Sequence, residues 1–289
     1  MNLRFEKYNG LGNDYLVYDC NKNSKKLNTD AIKLICNRNF GLGSDGILIG
    51  PIIKNNKISV KIVNPDGSIA EKSGNGVRIF AKYLKDAGYV KENEFNLNTL
   101  GGLVKVKYLN NKGTLMTVSM GKLSFDSNDV GTINTPQKTV NIPLIFGDKS
   151  YKCTCVSIGN PHCVIPMKEI SKEKVCEIGR FSETAKYFPN RINTQIVKVI
   201  DRNNISIEIF ERGAGYTLAS GSSSCAAAGA VYKLGLVDND ITVHMPGGSL
   251  KIQIEKDMNV FMTGTVSYVG TMILSNEFFN NIKNIDRFA

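Results

Sequence analysis

Two stretches of this chain repeat each other at a constant distance. Residues 61–73 read KIVNPDGSIAEKS and residues 208–220 read EIFERGAGYTLAS, so Ser73 and Ser220 stand 147 apart, as do Asn64 and Glu211. Gly12-Asn13 in NGLGNDYLVYD and Gly159-Asn160 in VSIGNPHCVIP keep the same spacing. A helix-like stretch follows each serine. Beyond it, TLGGLVKVKY and MPGGSLKIQI correspond with an offset of 146. Four matches in one order indicate two related halves, and an internal repeat of this kind constrains the architecture more than any single motif. Equivalent turns meeting at a shared cleft would set Ser73 opposite Ser220.

A chain of 289 residues holds two cores of ordinary size. With 42% apolar and 21% charged residues it matches a globular composition. No apolar run is long enough for a membrane span, and MNLRFEKYNG lacks the apolar stretch of a signal peptide. The seven cysteines fit no disulfide framework, and two histidines are too few for a strong zinc pattern. Cys153 and Cys155 are better read as buried, reduced thiols than as metal ligands. These features point to the cytoplasm. The net charge of +10 comes from dispersed lysines, with no basic run and no tryptophan. That excludes the usual footprint of nucleic-acid binding and leaves a surface that attracts small anions.

Alternation of apolar and polar residues predicts strands over 58–64, 103–109, 114–120, 195–201, 205–210, 241–245 and 250–256. Helices are expected over 76–87, with a stop at Gly88; over 222–234, with a stop at Gly235; and over 29–38, with Thr29 as N-cap. The fold class is α+β: two pseudo-symmetric halves, each a central helix wrapped by mainly antiparallel strands, with a cleft between them. The expected halves are 1–125 and 126–272, joined near 121–130, with 273–289 packing back on the first.

Each serine directly precedes a helix start. Taken alone, a serine there is an N-cap. Taken as a pair beside glycines that admit a ligand to the backbone, the two turns become a carboxylate clamp built on helix N-termini. Glu211 and Arg212 point to opposite strand faces. They suit an ammonium and a carboxylate respectively. Asn13, Asn64, Asn160 and Asn193 are each turn formers by residue type. Together they suggest a lining for an amino acid.

NGLGND, GLGSDG, NPDGSIAEKSGNG, SIGNPHCV, FPNRIN, ERGAGYTLASGSSS and HMPGGSLKI resemble, in order, the motifs of the diaminopimelate epimerase family over roughly residues 5–270. The resemblance implies an isomerase of amino-acid and lysine biosynthesis that inverts an α-carbon without pyridoxal phosphate, other cofactor or metal. It implies a small amino-acid substrate and is compatible with a homodimer. Two cysteines exchange the α-proton in the family, and the matching positions here are Ser73 and Ser220. The N–H groups of Gly74, Asn75, Gly221 and Ser222 would hold the α-carboxylate, and Glu211 the ammonium. Asn64, Asn193 and Arg212 would hold the distal end of the substrate, with Asn13 and Asn160 nearby.

Serine at both positions changes the chemistry. A thiol ionises near pH 8.5 and helix ends lower that further. A serine needs a partner that takes its proton. Three readings stand: a deliberate replacement that disables the enzyme, a natural subgroup in which Glu71, Lys72 or His162 assists serine, and a protein that binds an amino acid without turnover. A racemase or lyase for another amino acid is a further alternative. The changed neighbours, Lys72 before Ser73 and Ser222-Ser223-Ser224 after Ser220, favour the natural subgroup.

Overall fold

The computed structural model describes residues 3–71, 73–278 and 280. Lys72 and the end of the tail, 281–289, lie outside the described residues. The chain divides into two compact units, Met1–Val118 with Thr265–Ala289, and Ser119–Gly264.

The first unit contains β1 (Arg4–Gly10), β2 (Asn13–Tyr18), α1 (Thr29–Cys36), β3 (Ile47–Lys54), β4 (Lys57–Val63), β5 (Ile69–Ala70), α2 (Gly74–Asp86), β6 (Glu94–Thr99) and β7 (Gly102–Tyr108). β8 (Leu115–Lys122) then carries the chain into the second unit. There follow α3 (Ser127–Val130), β9 (Ile142–Phe146), β10 (Lys149–Ser157), β11 (Pro161–Pro166), α4 (Lys172–Ser182), β12 (Asn193–Asp201), β13 (Asn204–Glu211), β14 (Gly215–Thr217), α5 (Gly221–Lys233), β15 (Asp240–Met245), β16 (Gly248–Ile254) and β17 (Asn259–Thr265). β18 (Ser267–Ile273) belongs to the first unit.

The repeat is visible in strand register. β2 runs parallel to β3 with Leu16 opposite Ile47, and β11 runs parallel to β12 with Cys163 opposite Thr194. β4 and β13 continue each sheet antiparallel, pairing Val63 with Ile47 and Phe210 with Thr194. Both then cross in parallel to β6 and β15, and β7 and β16 return antiparallel. Asn98 opposite Leu103 matches His244 opposite Ser249, where the offset has become 146. β18 pairs with β1 as β9 pairs with β10. The halves therefore share one topology, mainly antiparallel, as the alternation predicts.

α2 and α5 each begin one residue after their serine, earlier than the sequence pattern suggests. Gly74-Asn75-Gly76 is thereby drawn into the first turn of α2, because Ser73 caps it directly. The cap of α1 is Asn28, whose side chain accepts from Ala31 N at 2.8 Å, and Thr29 is the first helical residue. Asparagine is the stronger cap. α5 is buried along nearly its whole length and packs on β10–β13, β15 and β16. A helix enclosed on all sides needs small residues, and SSSCAAAGA supplies them. α2 is equally enclosed, and two of its buried polar residues find side-chain partners. Lys82 pairs with Asp86, and Tyr83 donates to Asp19.

α4 is absent from the sequence expectations. It covers the second unit's peripheral core through Val175 and Ile178, against Phe188, Ile196 and Phe210. Its approach to β13 depends on Gly179, where a Cβ would lie 2.3 Å from Phe210 Cγ. That atom is close to the backbone and cannot swing aside. Gly179→Ala is expected to destabilise the protein by roughly 1–3 kcal/mol, as overpacking does, measured by urea denaturation. Wild-type stability in that variant would refute the packing argument.

Candidate active site

Ser73 has extended backbone, φ −135° and ψ 119°, and its Oγ accepts from Gly76 N at 3.0 Å. Ser220 repeats this with φ −147° and ψ 127°, its Oγ accepting from Ser223 N at 3.4 Å. Gly76 and Ser223 are again 147 apart. Each serine oxygen thus sits at the positive end of a thirteen-residue helix. The N–H groups of Gly74 and Asn75, and of Gly221 and Ser222, lie in the first turns, where the helical ladder does not use them.

The surroundings of the two caps differ. Tyr15 Oη lies 3.3 Å from Ser73 Oγ. Arg78, fully buried, donates to Asn75 Oδ1 at 2.8 Å and to Gly74 O at 3.4 Å, which sets a guanidinium charge against the first turn of α2. At α5 the cap leads into a side-chain network. Ser222 Oγ is 3.5 Å from Ser220 Oγ and accepts from Asn160 Nδ2 at 3.4 Å. Asn160 Oδ1 is 3.0 Å from His162 Nε2. Gln195 then bridges His162 Nδ1, at 3.3 Å, and Ser223 Oγ, at 3.1 Å. Burial is complete at His162 and pushes its pKa down to about 3. The ring is therefore neutral. Both ring nitrogens face amide oxygens, which only accept, so the single ring proton serves either Asn160 Oδ1 or Gln195 Oε1. Asn160 presents its N–H to Ser222, whose hydroxyl in turn shares a proton with the Ser220 hydroxyl.

The other expected residues are held mainly by protein partners. Asn13 Nδ2 donates to Asp45 Oδ2 at 2.7 Å, and Arg38 ties Asp45 to Asp14, each contact 2.7 Å. This is the part played by the GLGSDG stretch. Burial raises the Asp14 carboxyl, but Arg38 and Lys7 outweigh it and hold the group below its ordinary pKa. Asn64 bonds Ser68 through both its backbone and its side chain, at 2.8 and 2.9 Å, in the turn before Ser73. Asn193 spans Pro161 O and Arg212 N, at 2.9 and 3.1 Å. It thereby fixes the start of the exposed Arg212 segment, whose guanidinium donates to Asn190 O at 3.1 Å. Glu211 ends β13, half-buried. Glu71 is exposed, and Lys72 lies outside the described residues. His162 reaches Ser220 indirectly, through Asn160 and Ser222 on one side and through Gln195 and Ser223 on the other.

Within each unit the structure thus joins Ser73 to Gly74 and Asn75, Ser220 to Ser222 and Asn160, and Asn193 to Arg212. Sequence reasoning missed Tyr15, Arg78 and Gln195. Two of them carried a signal: Tyr15 stands 147 before His162, and Arg78 interrupts an apolar helix face.

Solved structures share this doubled unit. A hydroxyproline epimerase from Agrobacterium vitis with bound trans-4-OH-L-proline superposes with a TM-score of 0.68 at 11% identity, covering 94% of this chain and 91% of that one. A phenazine biosynthesis PhzF-family protein from Enterococcus faecalis gives 0.67 at 12%, covering 95% and 100%. The architecture is therefore that of the epimerase and racemase fold. The family model for diaminopimelate epimerase matches residues 5–125 and 154–269. Diaminopimelate epimerase 2 of Nostoc sp. is 46% identical over 278 residues, covering 96% of this chain and 97% of the relative. Diaminopimelate epimerase of Synechococcus elongatus is 36% identical over 268 residues, covering 91% and 95%. The chain belongs to the diaminopimelate epimerase family, and its activity is that of an amino-acid epimerase, an isomerase acting on a small amino-acid substrate. Among the described residues no helix is long and apolar enough to cross a membrane.

Proposed function

We propose that the chain interconverts LL- and meso-diaminopimelate, with Ser73 and Ser220 as the two acid–base groups, one for each face of the α-carbon. The observation that carries this reading is the matched cap geometry: two serine oxygens, each on an N-terminal helix turn, held by equivalent N–H donors. Removing a proton α to a carboxylate requires a base on one side, an acid on the other, and stabilisation of the carbanion-like intermediate. The first-turn N–H groups of Gly74, Asn75, Gly221 and Ser222 are suited to the carboxylate, and the buried Arg78 charge strengthens one of the two turns. Glu211 takes the ammonium. Asn64, Asn193 and Arg212 define the distal end, Asn64 and Asn193 chiefly by ordering the backbone around it. Asn13 and Asn160 complete the lining. The reaction needs neither pyridoxal phosphate nor metal. We place it in the cytoplasm, where the seven free cysteines stay reduced.

Proton NMR of LL- and meso-diaminopimelate in D₂O tests this. Deuterium appearing at the α-carbon with the serines in place is the expected result. Exchange only after Ser73→Cys and Ser220→Cys would mean that the binding site persists and the serines do not perform the chemistry. No exchange and no binding in either form would overturn the substrate assignment.

A further inference from the structure

We propose that Tyr15 is a positioning residue for Ser73 and relays a proton to it, an inference that rests on the serine-based reading above. Three observations converge. Tyr15 Oη is 3.3 Å from Ser73 Oγ. Ser73 Oγ accepts from Gly76 N at 3.0 Å and has a second lone pair, so it can also accept from Tyr15 Oη while its own proton is offered to a substrate, the arrangement the relay uses. Tyr15 also stands where the repeat puts His162 in the second unit, 147 residues on, at the same place in a strand that pairs antiparallel with the one before and parallel with the one after. The two halves therefore use one backbone position for a ring with a polar tip. In the second unit it acts through Asn160 and Ser222; in the first it meets the serine directly.

The ring is pinned. It is 6% exposed, and a Cβ at Gly46 would fall 2.8 Å from Tyr15 Cε1, so the last glycine of GLGSDG leaves the space the ring occupies. A phenol is far more acidic than an aliphatic alcohol, with an ordinary pKa of about 10. When Ser73 gives its proton to the α-carbon, the Oη–H bond of Tyr15 breaks and a new O–H bond forms at Ser73 Oγ. The electron pair left behind makes Tyr15 the phenolate, and the carbanion charge is discharged there rather than on an alkoxide. In the opposite direction the phenolate takes the serine proton as Ser73 Oγ takes the α-proton. The positive end of α2 and the buried Arg78 guanidinium favour that anion.

A double-mutant cycle separates relay from packing. Tyr15→Phe keeps the ring and removes the hydroxyl. With Ser73 present it is expected to lower kcat by about 100-fold, the low end of acid–base effects, with KM within roughly threefold. In the Ser73→Cys background a thiol ionises without help, and the same change is expected to cost less than about threefold. Equal losses in both backgrounds would show a structural role and overturn the relay. Wild-type kcat in Tyr15→Phe would overturn it too while leaving the serine-based function intact. No α-exchange in the serine protein, with rapid exchange once both serines are cysteine, would remove the function reading and the relay together.

Discussion

Ser73→Gly and Ser220→Gly each lower α-deuterium incorporation by at least about 100-fold while the protein stays folded. The two roles of each serine, cap and acid–base group, make this the sharpest test of the site. As a cap, glycine is almost as good as serine and costs only a few tenths of a kcal/mol, whereas alanine costs about 1 kcal/mol. As an acid–base group glycine offers nothing, and general acid–base catalysis contributes roughly 10²–10⁴ in rate. Glycine also leaves room for substrate, so binding measured by calorimetry should persist. Exchange that survives either substitution would reduce that serine to the cap it also is.

The second large effect is on stability against pH. His162 is fully buried and its pKa is lowered from 6.5 to about 3 by burial. In the unfolded chain the same imidazole takes up a proton near pH 6.5. Between these values the unfolded state binds more protons than the folded state, so stability falls as the pH falls. The slope is about 1.4 kcal/mol per pH unit, and the loss from pH 7 to pH 5 should be roughly 2 kcal/mol. Asp14 works in the same direction, but its contribution is lost only as the pH falls below the ordinary carboxylate range, outside this window. Urea denaturation at the two pH values reads the effect. In His162→Gln the slope should vanish. In the wild type, the ring should show no titration by NMR above pH 4. A native titration near 6.5 would contradict this account of the network around Asn160 and Gln195.

Much of the fold can be read from the chain, because the repeat and the alternation reflect the same sheet. Leu16 and Cys163 hold matching places in the ladder, and the slip of the offset to 146 falls between α2 and β6, and between α5 and β15. The serine turns were legible because glycine, serine and a helix start are local signals. α4 was not, since KEKVCEIGRFS alternates charge with apolar residues and carries a glycine in mid-helix; its stripe of Val175, Ile178, Gly179 and Ser182 has meaning only against Phe210. The contacts of Tyr15 and Gln195 were hidden for a different reason. Their partners lie 58 and 28 residues away, and only the sheet brings them together. Asn64 and Asn193 were legible as site residues, but their engagement with Ser68 and Pro161 was not.

β18 has a consequence for synthesis. It pairs with β1, Arg4 opposite Ile273, so the first unit closes with a strand made only after the whole of the second unit. The second unit, Ser119–Gly264, is one uninterrupted piece and can be completed before β18 leaves the ribosome. During that interval β1 has β2 on one side and an open backbone edge on the other, and open edges invite pairing with other chains. The half begun first is thus the half finished last, and a chain cut short after residue 264 would hold the whole sequence of the later unit while β1 of the earlier one lacked its partner.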